Sequence, residues 1–270
     1  MRWTLDDIDW AGFDPARVDP DLLAVVKTAS LVEANAADYV AYLRNVFADD
    51  PDFVAAAVQW GVEEEQHGAA LARWAELADP RWSAAAALAD FRANYRLDLD
   101  TDVSIRGSRA QEMIARQVVE TGTSSFYSAI RDASACPVLR EVAGRIAADE
   151  FHHYRLFRTH AERYAAGKLS LWARVKTALT RFQEAEDDEL GWAWFAANVR
   201  PAQPDAVYAA RDWGADYWVR AMALYRRPHI DNGVRMLLRA VGLAPNGVLF
   251  RGVSALLWFA TRRRAAALAG

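Results

Sequence analysis

Cysteine is nearly missing from this chain of 270 residues: Cys136 stands alone. A single thiol excludes an intramolecular disulfide, and the chain by itself cannot build an iron–sulfur cluster or a zinc–thiolate site. That frugality fits a reducing, cytoplasmic setting. Long apolar runs are missing too. None reaches the roughly 18 uninterrupted residues of a membrane span; the nearest, Val248 to Ala260, is broken by Arg251, Gly252 and Ser254 and followed by Arg262-Arg263-Arg264. It reads as a C-terminal helix packed on the rest with its basic end exposed, the alternative being an interfacial membrane helix. The segment Met1 to Pro15 is polar and acidic, with scattered Trp3, Trp10 and Phe13, and lacks the form of a signal peptide. Strong charge of either sign is also absent. A formal net charge of −4 argues against a general nucleic-acid binder.

What remains is an ordinary globular composition, 53% hydrophobic and 25% charged, on a chain long enough to bury a large core. Apolar residues recur at i, i+3, i+4 and i+7, whereas period-two alternation is scarce, so the expected class is all-α. Asp19-Pro20-Asp21 starts a helix to about Phe47. Asp50-Pro51-Asp52 opens a second that runs to Asp79-Pro80. Trp82 to Ser104 is a less regular link with one short helix and an Arg/Asp-rich loop. A third helix spans about Arg106 to Ala133, and a fourth starts near Pro137 and ends before Gly167. The expected division is a four-helix unit over 1–168 and a helical C-terminal extension over 169–270. The extension holds about four helices, punctuated by Arg200-Pro201, Pro228 and Ala244-Pro245-Asn246-Gly247.

Chemistry is concentrated on those four long helices. Glu64-x-x-His67 and Glu150-x-x-His153 each follow an isolated glutamate, Glu33 by 31 residues and Glu120 by 30. Residues i and i+3 share a helix face, so one helix can aim a carboxylate and an imidazole at one ion. One Glu from each of two helices and a Glu-x-x-His from each of two others make up the ligand set of a dinuclear iron or manganese site in a four-helix bundle. The repeat of the pattern reads as an internal duplication of a ligand-bearing hairpin. Small or apolar neighbours one turn away turn Glu33, Glu64 and Glu150 toward a core, where an unpaired carboxylate must pair, protonate or bind metal. Glu120 is less decided, with Arg116 and Gln117 one turn back. Glu63 and Asp149 compete for the register, but only Glu64/His67 and Glu150/His153 share one spacing in both halves. Asp149 then orients an imidazole or is an exposed acid. His152, His160 and His229 read as ordinary polar residues. Carboxylate-rich, thiolate-free ligands suit iron, or manganese, better than copper or zinc.

The local sequences also resemble a family. Trp60-Gly61-Val62-Glu63-Glu64-Glu65-Gln66-His67-Gly68 is similar to the Trp-x-x-Glu-Glu-x-x-His-Gly segment of soluble acyl-carrier-protein desaturases. Ile146-Ala147-Ala148-Asp149-Glu150-Phe151-His152-His153 resembles their Ile-Ala-Ala-Asp-Glu-x-x-His segment, and Glu120-Thr121-Gly122-Thr123 their Glu-x-x-Thr. The similarity covers about Asp19 to Leu169 and does not reach the C-terminal third. It implies a ferritin-like four-helix bundle with additional C-terminal helices, holding two iron ions on Glu33, Glu64, His67, Glu120, Glu150 and His153, with Glu64 and Glu150 bridging. It implies an oxygen-dependent desaturase or hydroxylase of a fatty acyl thioester, with Thr123 positioning oxygen or relaying a proton. The implied partners are an acyl carrier protein or another acyl thioester carrier, a ferredoxin-like electron donor and a second copy of the chain. Arg106, Arg109 and Arg116 are the candidate docking face for an acidic carrier. Other readings stay open: a di-iron oxygenase of another apolar metabolite, a ferritin- or rubrerythrin-like iron-oxidising or peroxide-scavenging protein, and a helical interaction protein that keeps the ligands without catalysis.

Overall fold

The computed structural model describes residues 2–96, 101–164, 168–183 and 188–269. Among them every regular element is helical and no strand occurs. Residues 97–100 of the expected Arg/Asp-rich loop, and Gly167, lie outside the described residues. No helix among those described is long and apolar enough to cross a membrane.

The start signals act as expected. Asp19 caps α1 (Pro20–Ala34) by accepting from Leu22 N, and Asp50 caps α3 (Pro51–Ala78) by accepting from Phe53 N, each with proline in the first turn. Ser108 does the same for α5 (Arg109–Ala133), and Cys136 precedes Pro137 at the head of α6 (Pro137–Arg163). The expected first helix does not run unbroken to Phe47. It stops at Ala34, turns at Asn35 and restarts as α2 (Ala36–Val46). Arg92 of α4 (Ala84–Asn94) explains the break, because its Nη2 donates to the Ala34 carbonyl at 2.6 Å and Nε to Asn35 Oδ1 at 3.4 Å. That carbonyl is thereby satisfied outside the helix.

The ligand-bearing helices associate as two pairs, α1 along α3 and α5 along α6, with α3 also meeting α6. Gly68 makes the α1–α3 approach possible: a Cβ there would lie 2.7 Å from Ala34 N and 2.9 Å from Ser30 O. Trp74, Phe91, Leu139 and Ile146 fill one part of the core, while Tyr42, Phe47, Phe53 and Phe157 fill another at the opposite end.

The C-terminal third is built of α7 (Leu171–Gln183), α8 (Asp188–Trp194), a π-helical turn at Phe195–Val199, α9 (Ala210–Ala223), α10 (Arg227–Ala240) and α11 (Val248–Ala269). Pro228 marks the break between α9 and α10: it sits in the first turn of α10, where its missing N–H costs nothing. This third packs against the helices that precede it. α7 and α10 pack on α5, α8 and α9 pack on α1, and α11 lies across α9 and α10.

Candidate metal centre

Glu33 from α1, Glu64 and His67 from α3, Glu120 from α5, and Glu150 and His153 from α6 are all buried and converge in the interior. They fall into two overlapping groups: Glu33, Glu64, His67 and Glu150 in one, and Glu64, Glu120, Glu150 and His153 in the other. Within each group one ligand atom per residue lies within 4.8 Å of every other. Glu64 and Glu150 belong to both.

Each imidazole turns Nδ1 toward the carboxylates. His67 Nδ1 lies 3.1 Å from Glu150, 3.5 Å from Glu64 and 3.7 Å from Glu33. His153 Nδ1 lies 3.1 Å from Glu64, 3.7 Å from Glu120 and 4.0 Å from Glu150. Each Nε2 is held by an acid from the opposite pair, His67 by Asp149 Oδ2 at 3.1 Å and His153 by Glu63 Oε2 at 2.9 Å. The arrangement is reciprocal, because Glu63 and Asp149 each directly precede a cluster glutamate. Asp149 takes the orienting alternative offered by the sequence, since it is buried against His67. Glu63 plays the matching part, which sequence reading missed by treating it as a competitor for register.

The N-terminal segment closes this side. Trp3 Nε1 donates to Asp149 Oδ2 at 2.7 Å and Arg2 Nε to Asp149 Oδ1 at 2.8 Å. The Trp3 ring stacks over His67 with centroids 6.1 Å apart. Nothing in the local sequence around Trp3 announces this role, because its partners lie 64 or more residues away. Tyr127 is another addition: about two turns beyond Glu120 on α5, its hydroxyl donates to Glu33. Thr123 donates to Glu150 Oε2 and so reaches the cluster.

Electrostatics make this a site under tension when it holds only protons. Burial raises the pKa of Glu120 and Glu150, and burial together with the neighbouring Glu64 charge pushes Glu33 up to about 8. Burial alone would also raise Glu64, but Glu33, His153 and His67 close beside it outweigh that and hold the carboxyl well down. Burial opposes charge on His67, yet Asp149, Glu150, Glu33 and Glu64 raise it strongly; His153 is raised in the same way by Glu120, Glu63 and Glu64. Asp149, despite burial, is drawn down to about 2 by His67, Arg2 and Trp3.

Several polar atoms have no hydrogen-bond partner although fully buried: Nδ1 of His67 and of His153, both Glu120 carboxylate oxygens and Glu150 Oε1. Orphaned buried groups of this kind are costly. All of them point into one cluster, and a cation of oxygen and imidazole preference would satisfy the set at once. The residues can hold a metal ion.

The cluster forms one wall of a cavity of about 350 Å3. Glu33, Glu64, Glu120 and Glu150 face it, as do Thr123 and Gly122, and a Cβ on Gly122 would meet nothing within 4 Å. The opposite wall comes from the C-terminal third: Leu190 of α8, Trp218 and Met222 of α9, Val234 and Leu237 of α10, and Leu257 of α11. Most of this lining is apolar. The remaining histidines stay outside the cluster; His229 is satisfied by Asp132 and Arg226 N, and His152 is exposed. Two of the three candidate docking arginines are held by other groups. Arg116 is buried against Glu112 and Tyr39, and Arg109 is tied to Asp49 and the Val46 carbonyl, so neither is a free surface cation.

No protein-family model matches the chain, and no curated protein matches it. The functional reading therefore rests on the site itself.

Proposed function

We propose that α1, α3, α5 and α6 form a ferritin-like bundle around a di-iron centre, and that the protein is an oxygen-dependent oxidoreductase. Its reaction is desaturation or hydroxylation of a fatty acyl thioester such as one borne by an acyl carrier protein. The observation that carries this reading is the pair of four-ligand groups sharing Glu64 and Glu150 beside an apolar cavity. Oxygen-rich ligation with one imidazole per group and no thiolate favours iron, with manganese next. Glu33 and His67 would complete one position, Glu120 and His153 the other, while Glu64 and Glu150 serve both. Once bound, two such ions supply oxidising chemistry with dioxygen that protein side chains lack.

The chain's own residues do the rest. Asp149 and Glu63 grip the imidazoles at Nε2 and leave Nδ1 free to ligate, which sets tautomer and ring orientation. Thr123, on the cavity side of Glu150, holds a movable proton between the carboxylate and the space where substrate would lie. The Trp3 ring keeps water from the face of His67 away from the cavity. The cavity falls within the roughly 300–1,000 Å3 of ligand sites and suits a flexible apolar chain. Iron storage or peroxide scavenging needs no such chamber beside the metal, so the cavity favours the oxygenase reading. Electrons would come from an external ferredoxin-like donor, because the sequence carries no second redox motif.

The test is metal analysis with Mössbauer spectroscopy after anaerobic ferrous loading and exposure to oxygen, followed by product analysis on acyl thioesters. Two coupled irons per chain and an oxidised acyl product are expected. One uncoupled zinc, or no metal, would overturn the proposal.

A further inference from the structure

Two helices of the C-terminal third each leave an apolar face uncovered. On α7 the exposed large apolar residues are Leu171, Trp172, Leu179 and Phe182; on α11 they are Val248, Leu249, Leu256 and Phe259. Trp172 is 72%, Leu256 66% and Phe259 62% exposed, well beyond ordinary surface residues scattered singly. The spacing is helical in both. Leu171, Leu179 and Phe182 lie eight and eleven apart, as do Val248, Leu256 and Phe259, so each helix presents a stripe. The opposite faces are anchored to the molecule. Thr177 of α7 accepts from Gln111 of α5 at 3.1 Å, and buried Ser254 of α11 bonds Asp231 of α10.

Charge on these helices is of one sign. Neither α7 nor α11 contains an aspartate or glutamate, although the chain has 36 acidic residues against 32 basic ones. Lys168 and Lys176 are exposed at α7, and Arg251, Arg262 and Arg263 at α11. The same two helices bound the cavity. Phe182 lines it while half exposed, and Leu257 and Thr261 line it from α11, so the cavity reaches the surface between them.

We infer that α7 and α11 form a docking surface for an anionic lipid bilayer, with the cavity mouth set at the membrane face. Apolar side chains would enter the headgroup–acyl boundary while the flanking lysines and arginines meet anionic headgroups. A second copy of this chain fits less well, because a twofold contact would press these like charges together. An acidic carrier would answer the cations but would leave eight large apolar side chains without a use. The surface stands whatever the centre does; only the entry of an acyl chain from the bilayer through the mouth rests on the function proposed above.

The experiment is flotation of the full chain with vesicles of phosphatidylcholine, with and without phosphatidylglycerol, before and after iron loading. Binding is expected on the anionic vesicles, weakened by salt and by their omission, and independent of iron. The pair Trp172→Glu with Leu256→Glu should lower the bound fraction by about tenfold or more. Lys176→Gln and Arg262→Gln should each weaken binding by about fivefold, the fold-change equivalent to about 1 kcal/mol per basic residue. These exposed positions should leave iron content and circular dichroism unchanged. Failure to float at any composition would overturn the inference. So would a dimer that the Glu pair splits, or vesicle binding that the Glu pair leaves intact. None of these results alters the iron stoichiometry, so the two proposals fail separately.

Discussion

Glu63 and Asp149 each stand one residue before a cluster carboxylate, and each grips the imidazole contributed by the other helix pair. Neutralising either should loosen ring orientation without emptying the core. Glu63→Gln and Asp149→Asn are each expected to weaken ferrous binding by about 10–100-fold, read by competition with a chelator; unchanged affinity would make them bystanders. Glu120→Ala should leave a folded helical protein with less metal and no oxygen chemistry. Full metal loading with full activity would remove Glu120 from the ligand set. Thr123→Val should spare metal binding but slow single-turnover reaction with oxygen, since it deletes the hydroxyl that meets Glu150 on the cavity side. Glu64, His67, Glu150 and His153 were legible because i, i+3 spacing on a helix is a local property, and Glu33 and Glu120 because each precedes its pair by nearly the same distance. Glu63, Trp3 and Tyr127 were not, because each acts on a residue distant in sequence, and only packing decides such pairs.

Elements repeat the contrast. Asp-Pro-Asp at 19–21 and at 50–52 opens helices because the aspartate side chain satisfies orphan N–H groups and proline fits the first turn. The stop at Ala34 has no such signature. It is imposed by Arg92, from a helix about 58 residues away, which takes the Ala34 carbonyl. Gly68 sits at a close approach of α1 and α3, and the atoms a methyl group would strike are backbone, which cannot swing aside. Gly68→Ala should therefore destabilise the fold by about 1–3 kcal/mol in urea unfolding. It should also weaken metal binding, because Glu33 lies on the displaced helix. An unchanged midpoint would show that α1 can shift without cost.

Across the whole molecule, metal must compete with protons for the same atoms. His67 and His153 have raised pKa values, and Glu33 sits at about 8, so in the metal-free protein these groups hold protons at neutral pH. Ligation requires their release. Ferrous affinity is thus expected to rise as pH rises from 6 toward about 8, with protons liberated on loading. Calorimetry in buffers of different ionisation enthalpy measures that release, and a pH-independent affinity without proton release would contradict it. The cavity is a property of the same scale, since Glu120 and Thr123 from one third of the chain face Leu237 and Leu257 from another.

The all-α class, the helix starts and the paired Glu and Glu-x-x-His positions follow from the sequence alone, because periodicity, caps and i, i+3 neighbours are written within a few residues. Tertiary structure decided what those local rules cannot reach. It brought four helices together so that Glu64 and Glu150 join both ligand groups, and it crossed Asp149 and Glu63 onto the opposite imidazoles. It also laid the C-terminal third over the centre as the far wall of the cavity. Those outcomes depend on which faces bury against one another, and burial is settled only when the whole chain has packed.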